Sequence, residues 1–265
     1  MSFSEVDSIV QLAMKKAEIP GLQLALFNNN ELKYMSSYGV KDSLKSVSID
    51  NNTIMQSASF SKSIFACIVM KLVEEGRFEL DKPIYQYLDF PLYQISNPRY
   101  DYLDLKDDER YKKITGRMLL THTAGFKNWR NNEKLKINFE PGSQYLYSGD
   151  GILLLQSIIE YITNTDLHSL SQDYIFKPLG MNNSSYIWND NYNKNYSLGF
   201  KTSGEIHRER FDTVPMAAYS CTTTVADFSK LITSILNEDL FQDSQPMLDV
   251  QHRIKTKKQF GPDAL

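Results

Sequence analysis

Nowhere among the 265 residues does an apolar run approach the ~18 consecutive positions a membrane-spanning helix needs. The chain also has no surplus of positive charge. Its 29 Lys and Arg face 32 Asp and Glu, a formal net charge of -3, so no broad basic field exists to neutralise phosphates and nucleic acid is not an expected partner. Cysteine is scarce: Cys67 and Cys221 lie far apart in apolar stretches and read as free, buried thiols rather than a disulfide framework. The four histidines, His122, His168, His207 and His252, show no ligand spacing, which argues against a metal site, and no cofactor-binding motif is present. Internal repeats and low-complexity linkers are missing too, so residues 1–265 read as a single domain of enzyme size. The start, Met1 to Asp7, has no positively charged stretch followed by an apolar run. That reads as cytoplasmic, or as periplasmic where a leader has been removed.

What is present suits a globular protein, with 42% hydrophobic and 23% charged residues. Val6, Ile9, Val10, Leu12, Ala13 and Ala17 recur at helical spacing until Ile19-Pro20-Gly21 ends the pattern. Leu22 to Phe27 and Leu32 to Tyr38 alternate as strands around Asn28-Asn29-Asn30, a hairpin turn. Ala58 to Glu75 reads as a helix buried on most sides, with Gly76 as its C′ cap. Residues 83–111, rich in Tyr, Asp and Pro, predict irregular surface structure. Thr115 predicts a cap for a short helix through Leu120, and Gly151 to Thr163 and Phe228 to Leu236 predict two more helices. Residues 189–196 form a polar loop. Strands first and then mostly helices imply an α+β fold.

A serine hydroxyl is a poor nucleophile at neutral pH unless a base stands within hydrogen-bond reach. Ser59-Phe60-Ser61-Lys62 supplies one locally, because positions i and i+3 of a helix share a face. Desolvation among Phe60, Ile64 and Phe65 favours the uncharged amine that can accept a proton. The S-x-x-K pattern by itself is weak, since roughly one chance match is expected in a chain of this length, and a serine cap with an exposed lysine would read the same way. Here the motif opens an unusually apolar helix, where an exposed cap needs no such surroundings.

Several further stretches occur in order: Ile19-Pro20-Gly21, Leu80-Asp81-Lys82-Pro83, Leu119 to Gly125 (LLTHTAG), Pro141-Gly142, Tyr147-Ser148-Gly149 and Pro178-Leu179-Gly180-Met181. Together with Ser59 to Lys62 they make the chain resemble the β-lactamase-related serine hydrolases, the class C-like branch with its penicillin-binding proteins and esterases. The resemblance implies a β-lactamase/transpeptidase-like fold, an antiparallel sheet flanked by helices plus a mostly helical lobe. It implies Ser59 as nucleophile, Lys62 as base and Tyr147 as the tyrosine that shares the proton work. It also gives His122 a structural part near the site, which removes the case for a Ser-His-Asp triad. Ester, β-lactam or D-amino-acid peptide substrates follow from the same resemblance, while the oligomeric state stays open.

Two departures bear on function. Where the family has Asn, which holds the substrate's amide, this chain has Gly149 followed by Asp150. Both are assigned to substrate binding, but a carboxylate accepts hydrogen bonds and cannot donate to a carbonyl, so an ester substrate gains ground. The family's third motif is not found: Lys201-Thr202-Ser203-Gly204 is one residue too long and reads as a loop. The chain reaches Gly261-Pro262-Asp263-Ala264-Leu265 about where the closing strands should begin, so a domain truncated at its C-terminus, with an incomplete sheet, is expected. The competing reading is a catalytically impaired binding or sensor protein that keeps the fold.

Overall fold

The computed structural model describes residues 2–42, 46–131, 133–201, 203, 205–206 and 212–241. In chain order the elements are α1 (Phe3–Ala17), β1 (Gly21–Asn28), β2 (Glu31–Asp42), β3 (Val47–Ser48), β4 (Met55–Gln56), α2 (Ser61–Glu74), α3 (Gly116–Leu120), α4 (Gly149–Thr163), α5 (Leu167–Ser171), β5 (Thr222–Thr223) and α6 (Val225–Leu236). They group into two compact units. The first is drawn from residues 2–58, 171–215 and 220–240, the second from residues 59–170, 216–219 and 241.

In the first unit α1 begins three residues before the periodicity predicts, because Ser2 and Glu5 form a reciprocal capping box. It stops where Glu18 turns left-handed at φ 53° ahead of Pro20. β1 and β2 form the expected antiparallel hairpin, with Leu24 opposite Ser36 and Leu26 opposite Tyr34. Asn29 and Asn30 take φ of 51° and 61°, as a two-residue type I′ turn requires. β3 adds a third strand beside β2, and β4 pairs with β5 in a separate two-stranded ladder. The sheet is pinned to α1 by Asp7, which accepts hydrogen bonds from the Tyr34 and Tyr38 hydroxyls. At α6 the Gln23 side chain accepts the Val225 N–H at 3.1 Å, and Thr224 caps the helix three residues earlier than the apolar pattern alone indicates.

The second unit is built on α2 and α4. Ile64, Phe65, Ile68, Val69 and Leu72 of α2 are buried, as are Ile152 to Leu155, Ile158 and Ile159 of α4. Each such side chain contributes ~1.5–3 kcal/mol relative to exposure. α2 ends in a Schellman motif: Gly76 adopts φ 69°, its N–H reaches the Val73 carbonyl, and the Arg77 N–H reaches Leu72 at 2.9 Å. Residues 83–113 hold four short 3-10 turns, and Thr115 caps α3 through the Met118 N–H. Cys67 and Cys221 are both free and buried, and desolvation pushes each thiol up to about 12. Among the described residues no helix is long and apolar enough to cross a membrane. Thr202 and Gly204 of the Lys201 to Gly204 stretch and all of 261–265 lie outside the described residues.

Candidate active site

Ser59 sits in a 3-10 turn, Ala58–Phe60, that runs directly into α2. In such a turn side chains at i and i+3 nearly eclipse, which brings Lys62 over Ser59. Lys62 Nζ donates to Ser59 Oγ at 3.1 Å and to the Ala218 carbonyl at 2.6 Å. The lysine is 9% exposed, so these two hydrogen bonds offset the loss of its contacts with water. Ile64 and Phe65 are buried beyond it, but Phe60 is 65% exposed and does not shield the lysine as the sequence suggests. Immediately before the serine, Ala58 holds φ 43°, a left-handed conformation that costs a non-glycine residue ~1–2 kcal/mol. Strain of this kind gathers at functional sites.

Tyr147 closes the other side. Its hydroxyl donates to Ser59 Oγ at 2.8 Å, and Lys62 Nζ lies 5.0 Å from the ring centroid. The tyrosine is aimed by the residue after it: Ser148 is the N-cap of α4, its Oγ accepting the Gly151 N–H at 2.8 Å and donating to the Lys127 carbonyl at 2.9 Å. His122 completes the support. Its Nδ1 accepts the Ser148 N–H at 3.2 Å, its carbonyl accepts the Leu146 N–H at 2.8 Å, and its ring lies 4.6 Å from that of Tyr147. Desolvation and then the Lys62 charge pull the imidazole down to about 4, so it is neutral at neutral pH with its proton on Nε2. It makes a poor base and a good acceptor for the Ser148 backbone.

The next two residues turn elsewhere. Asp150 is 1% exposed and accepts from Arg130 Nε at 3.2 Å, which closes its carboxylate to a ligand. Arg130 is itself buried, donates to the Asp101 carbonyl at 2.8 Å and stacks 4.2 Å from the Tyr100 ring centroid. Burial pushes the Asp150 carboxyl above the ordinary carboxylate range, with Arg130 opposing. Arg130 Nη2 and Asp150 Oδ1 are both buried without a hydrogen-bond partner. Gly149 donates its N–H to Asn128 and backs onto the Trp129 indole.

Ser59, Lys62 and Tyr147 therefore meet at one point, whereas Gly149 and Asp150 bring no accessible polar side-chain group to it. The Ala218 carbonyl and Trp129 are not marked in the sequence, whereas His122 is, as a structural residue near the site. The first is a backbone group and carries no side-chain signature, and only the two glycines around Asp150 hint that something packs close to the chain there.

The family model described as Beta-lactamase matches residues 6–263. The chain belongs to the beta-lactamase family. Members similar to it include Protein flp of Staphylococcus aureus (strain MRSA252), 24% identical over 221 residues that cover 77% of this chain and 42% of that protein. A beta-lactamase of Pseudomonas fluorescens is 24% identical over 84% of this chain and 61% of its own length. The chain thus spans less than two thirds of each of these relatives. Among solved structures, the octameric penicillin-binding protein homologue from Pyrococcus abyssi superposes with a TM-score of 0.73 at 21% identity, over 90% of this chain and 57% of that one. D-alanine carboxypeptidase AmpC from Burkholderia cenocepacia does so at 0.71 and 20%, over 91% and 65%. The fold is the β-lactamase/transpeptidase fold, α+β with antiparallel sheets that are not closed among the described residues.

Proposed function

We propose that this chain is a serine hydrolase that forms an acyl-enzyme on Ser59. The observation that carries the reading is the double approach to one oxygen: Ser59 Oγ lies 3.1 Å from Lys62 Nζ and 2.8 Å from the Tyr147 hydroxyl. Ser59 Oγ attacks a carbonyl carbon while its proton passes to Lys62 Nζ. Tyr147 then delivers a proton to the leaving oxygen or nitrogen as the carbonyl–leaving-group bond breaks, and is reprotonated from Lys62. Water, deprotonated by the same pair, releases the acyl group and restores the serine. The backbone N–H of Ser59 stands as one donor to the oxyanion. Membership of the beta-lactamase family, with similar proteins named as a beta-lactamase and a D-alanine carboxypeptidase, supports acyl transfer on β-lactams or peptides, and the sequence resemblance extends the range to esters. Gly149, which offers no side-chain amide, favours esters within that range.

The test is covalent labelling by a fluorophosphonate, with the modified residue located by mass spectrometry. Labelling at Ser59 that disappears in Ser59→Ala, with the melting temperature nearly unchanged, is the expected result. Undiminished labelling in Ser59→Ala would refute the nucleophile, and no labelling of the parent protein would leave the binding-protein reading in its place.

A further inference from the structure

Ser148 is extended, φ -141° and ψ 116°, and joins Tyr147 to the first residue of α4, Gly149, the position where the resemblance places the substrate-holding side chain. The Tyr147 hydroxyl reaches Ser59 Oγ. At 149 a side chain would meet an indole: a Cβ on Gly149 would stand 2.6 Å from Cζ3 and 2.7 Å from Cζ2 of Trp129, and closer still to Cη2, separations real Cβ atoms do not show. Trp129 therefore fills the volume that a residue-149 side chain would take, two residues along the chain from Tyr147. All three atoms are benzenoid carbons, so nothing there donates or accepts a hydrogen bond.

The indole is braced. The Tyr219 ring meets it edge-on at 5.8 Å and 73°. The Arg99 guanidinium lies 4.9 Å from the Trp129 centroid and 5.3 Å from that of Tyr219, and bonds the Tyr219 hydroxyl at 2.9 Å. Both ends of this stack are tied to the reacting groups. Tyr219 follows Ala218, whose carbonyl holds Lys62, and Asn128, preceding Trp129, accepts the N–H groups of Gly149 and Asp150. Trp129 is only half-buried.

Building on the hydrolase reading above, we propose that Trp129 is the specificity-determining residue of the site, an apolar stacking wall that selects substrates with a flat, unsaturated group next to the reacting carbonyl. A rigid indole that is already braced loses little conformational freedom when a ring stacks on it. Acyl groups that need a side-chain donor find only carbon. An aromatic contact of this kind favours the flat group by about two- to tenfold over its area burial alone.

The experiment uses boronic acids, which add reversibly to the serine oxygen and carry on boron the group a substrate carries on its carbonyl. Dissociation constants of phenylboronic and methylboronic acid are measured by calorimetry for the parent chain, Trp129→Ala, Trp129→Leu and Gly149→Ala. The preference for phenyl over methyl should fall about three- to tenfold in both tryptophan variants; Leu keeps apolar bulk and serves where Ala does not fold. Gly149→Ala, which unseats the indole, should lower it too, and should change nothing further in the Trp129→Ala background. A preference unchanged within twofold in either folded tryptophan variant overturns the inference while leaving the hydrolase reading intact. If neither boronic acid binds and Ser59 is not labelled by fluorophosphonate, the hydrolase reading falls and the inference falls with it.

Discussion

Replacing His122 by Asn separates support from catalysis at this site. Asparagine tolerates the φ of 58° held by His122, and its Oδ1 can take over from Nδ1 as acceptor of the Ser148 N–H. What it removes is a titrating ring. The folded protein holds the imidazole near 4 against an ordinary 6.5, through burial and the neighbouring Lys62 charge. Because the folded value is depressed, the unfolded chain binds the extra proton first, so stability is full above about pH 6.5 and is lost as pH falls toward 4. Between pH 7 and pH 5 this one group removes about 2 kcal/mol. Urea unfolding of the parent and His122→Asn at both pH values reads the difference directly, since all other groups titrate in both proteins. The parent should lose about 2 kcal/mol more than the variant. Parallel profiles, within about 0.5 kcal/mol, would refute the buried neutral imidazole. Fluorophosphonate labelling of Ser59 should survive in the variant to within about tenfold, below the usual loss on removing a general base. A collapse of a thousandfold would make His122 the base after all.

Lys62→Ala should slow labelling and ester turnover by ~10²–10⁴, the scale of a lost general base, and a loss below tenfold would point to another group. Asp150→Ala should cost ~3–5 kcal/mol in a denaturant melt, because it strands the buried Arg130 charge, and Arg130→Met in the same chain should recover part of that; equal stability of Asp150→Ala and parent would show the pair to be hydrated. Short p-nitrophenyl esters should be turned over faster than penicillins or cephalosporins, and the reverse order in steady-state assays would contradict the part given to Gly149.

The sequence was most legible where local chemistry decides the outcome. The hairpin follows from two asparagines that accept positive φ, and the end of α2 from Gly76. The helix starts were harder, since caps at Ser2, Ser148 and Thr224 are polar residues outside the apolar period. β3, β4 and β5 are two residues each and carry no periodicity at all. At the site, Ser59 and Lys62 were readable because three residues separate them, and Tyr147 only through the family resemblance. Asp150 was misplaced by adjacency: one residue beyond Gly149 the helix has rotated its side chain into the core, onto an arginine 20 positions earlier in the chain.

The weight between an enzyme and an impaired relative falls on what the site costs. A scaffold that only binds has no need to hold Ala58 in a left-handed turn, to bury Lys62 Nζ on a carbonyl and a hydroxyl, or to keep His122 neutral at the expense of acid stability. The left-handed turn at Ala58 alone removes about 1–2 kcal/mol from a total that for a domain is only ~5–15 kcal/mol, and His122 adds a loss that is felt only in acid. All three converge on the setting of one oxygen, Ser59 Oγ: Ala58 sets the turn that presents it, Lys62 and Tyr147 bond to it, and His122 fixes the backbone that aims Tyr147. The Gly149 and Trp129 arrangement, by contrast, changes what lies beside that oxygen and leaves its partners in place. On the proposed reading, the departure from the family pattern at position 149 therefore bears on the substrate and leaves the partners of Ser59 Oγ untouched.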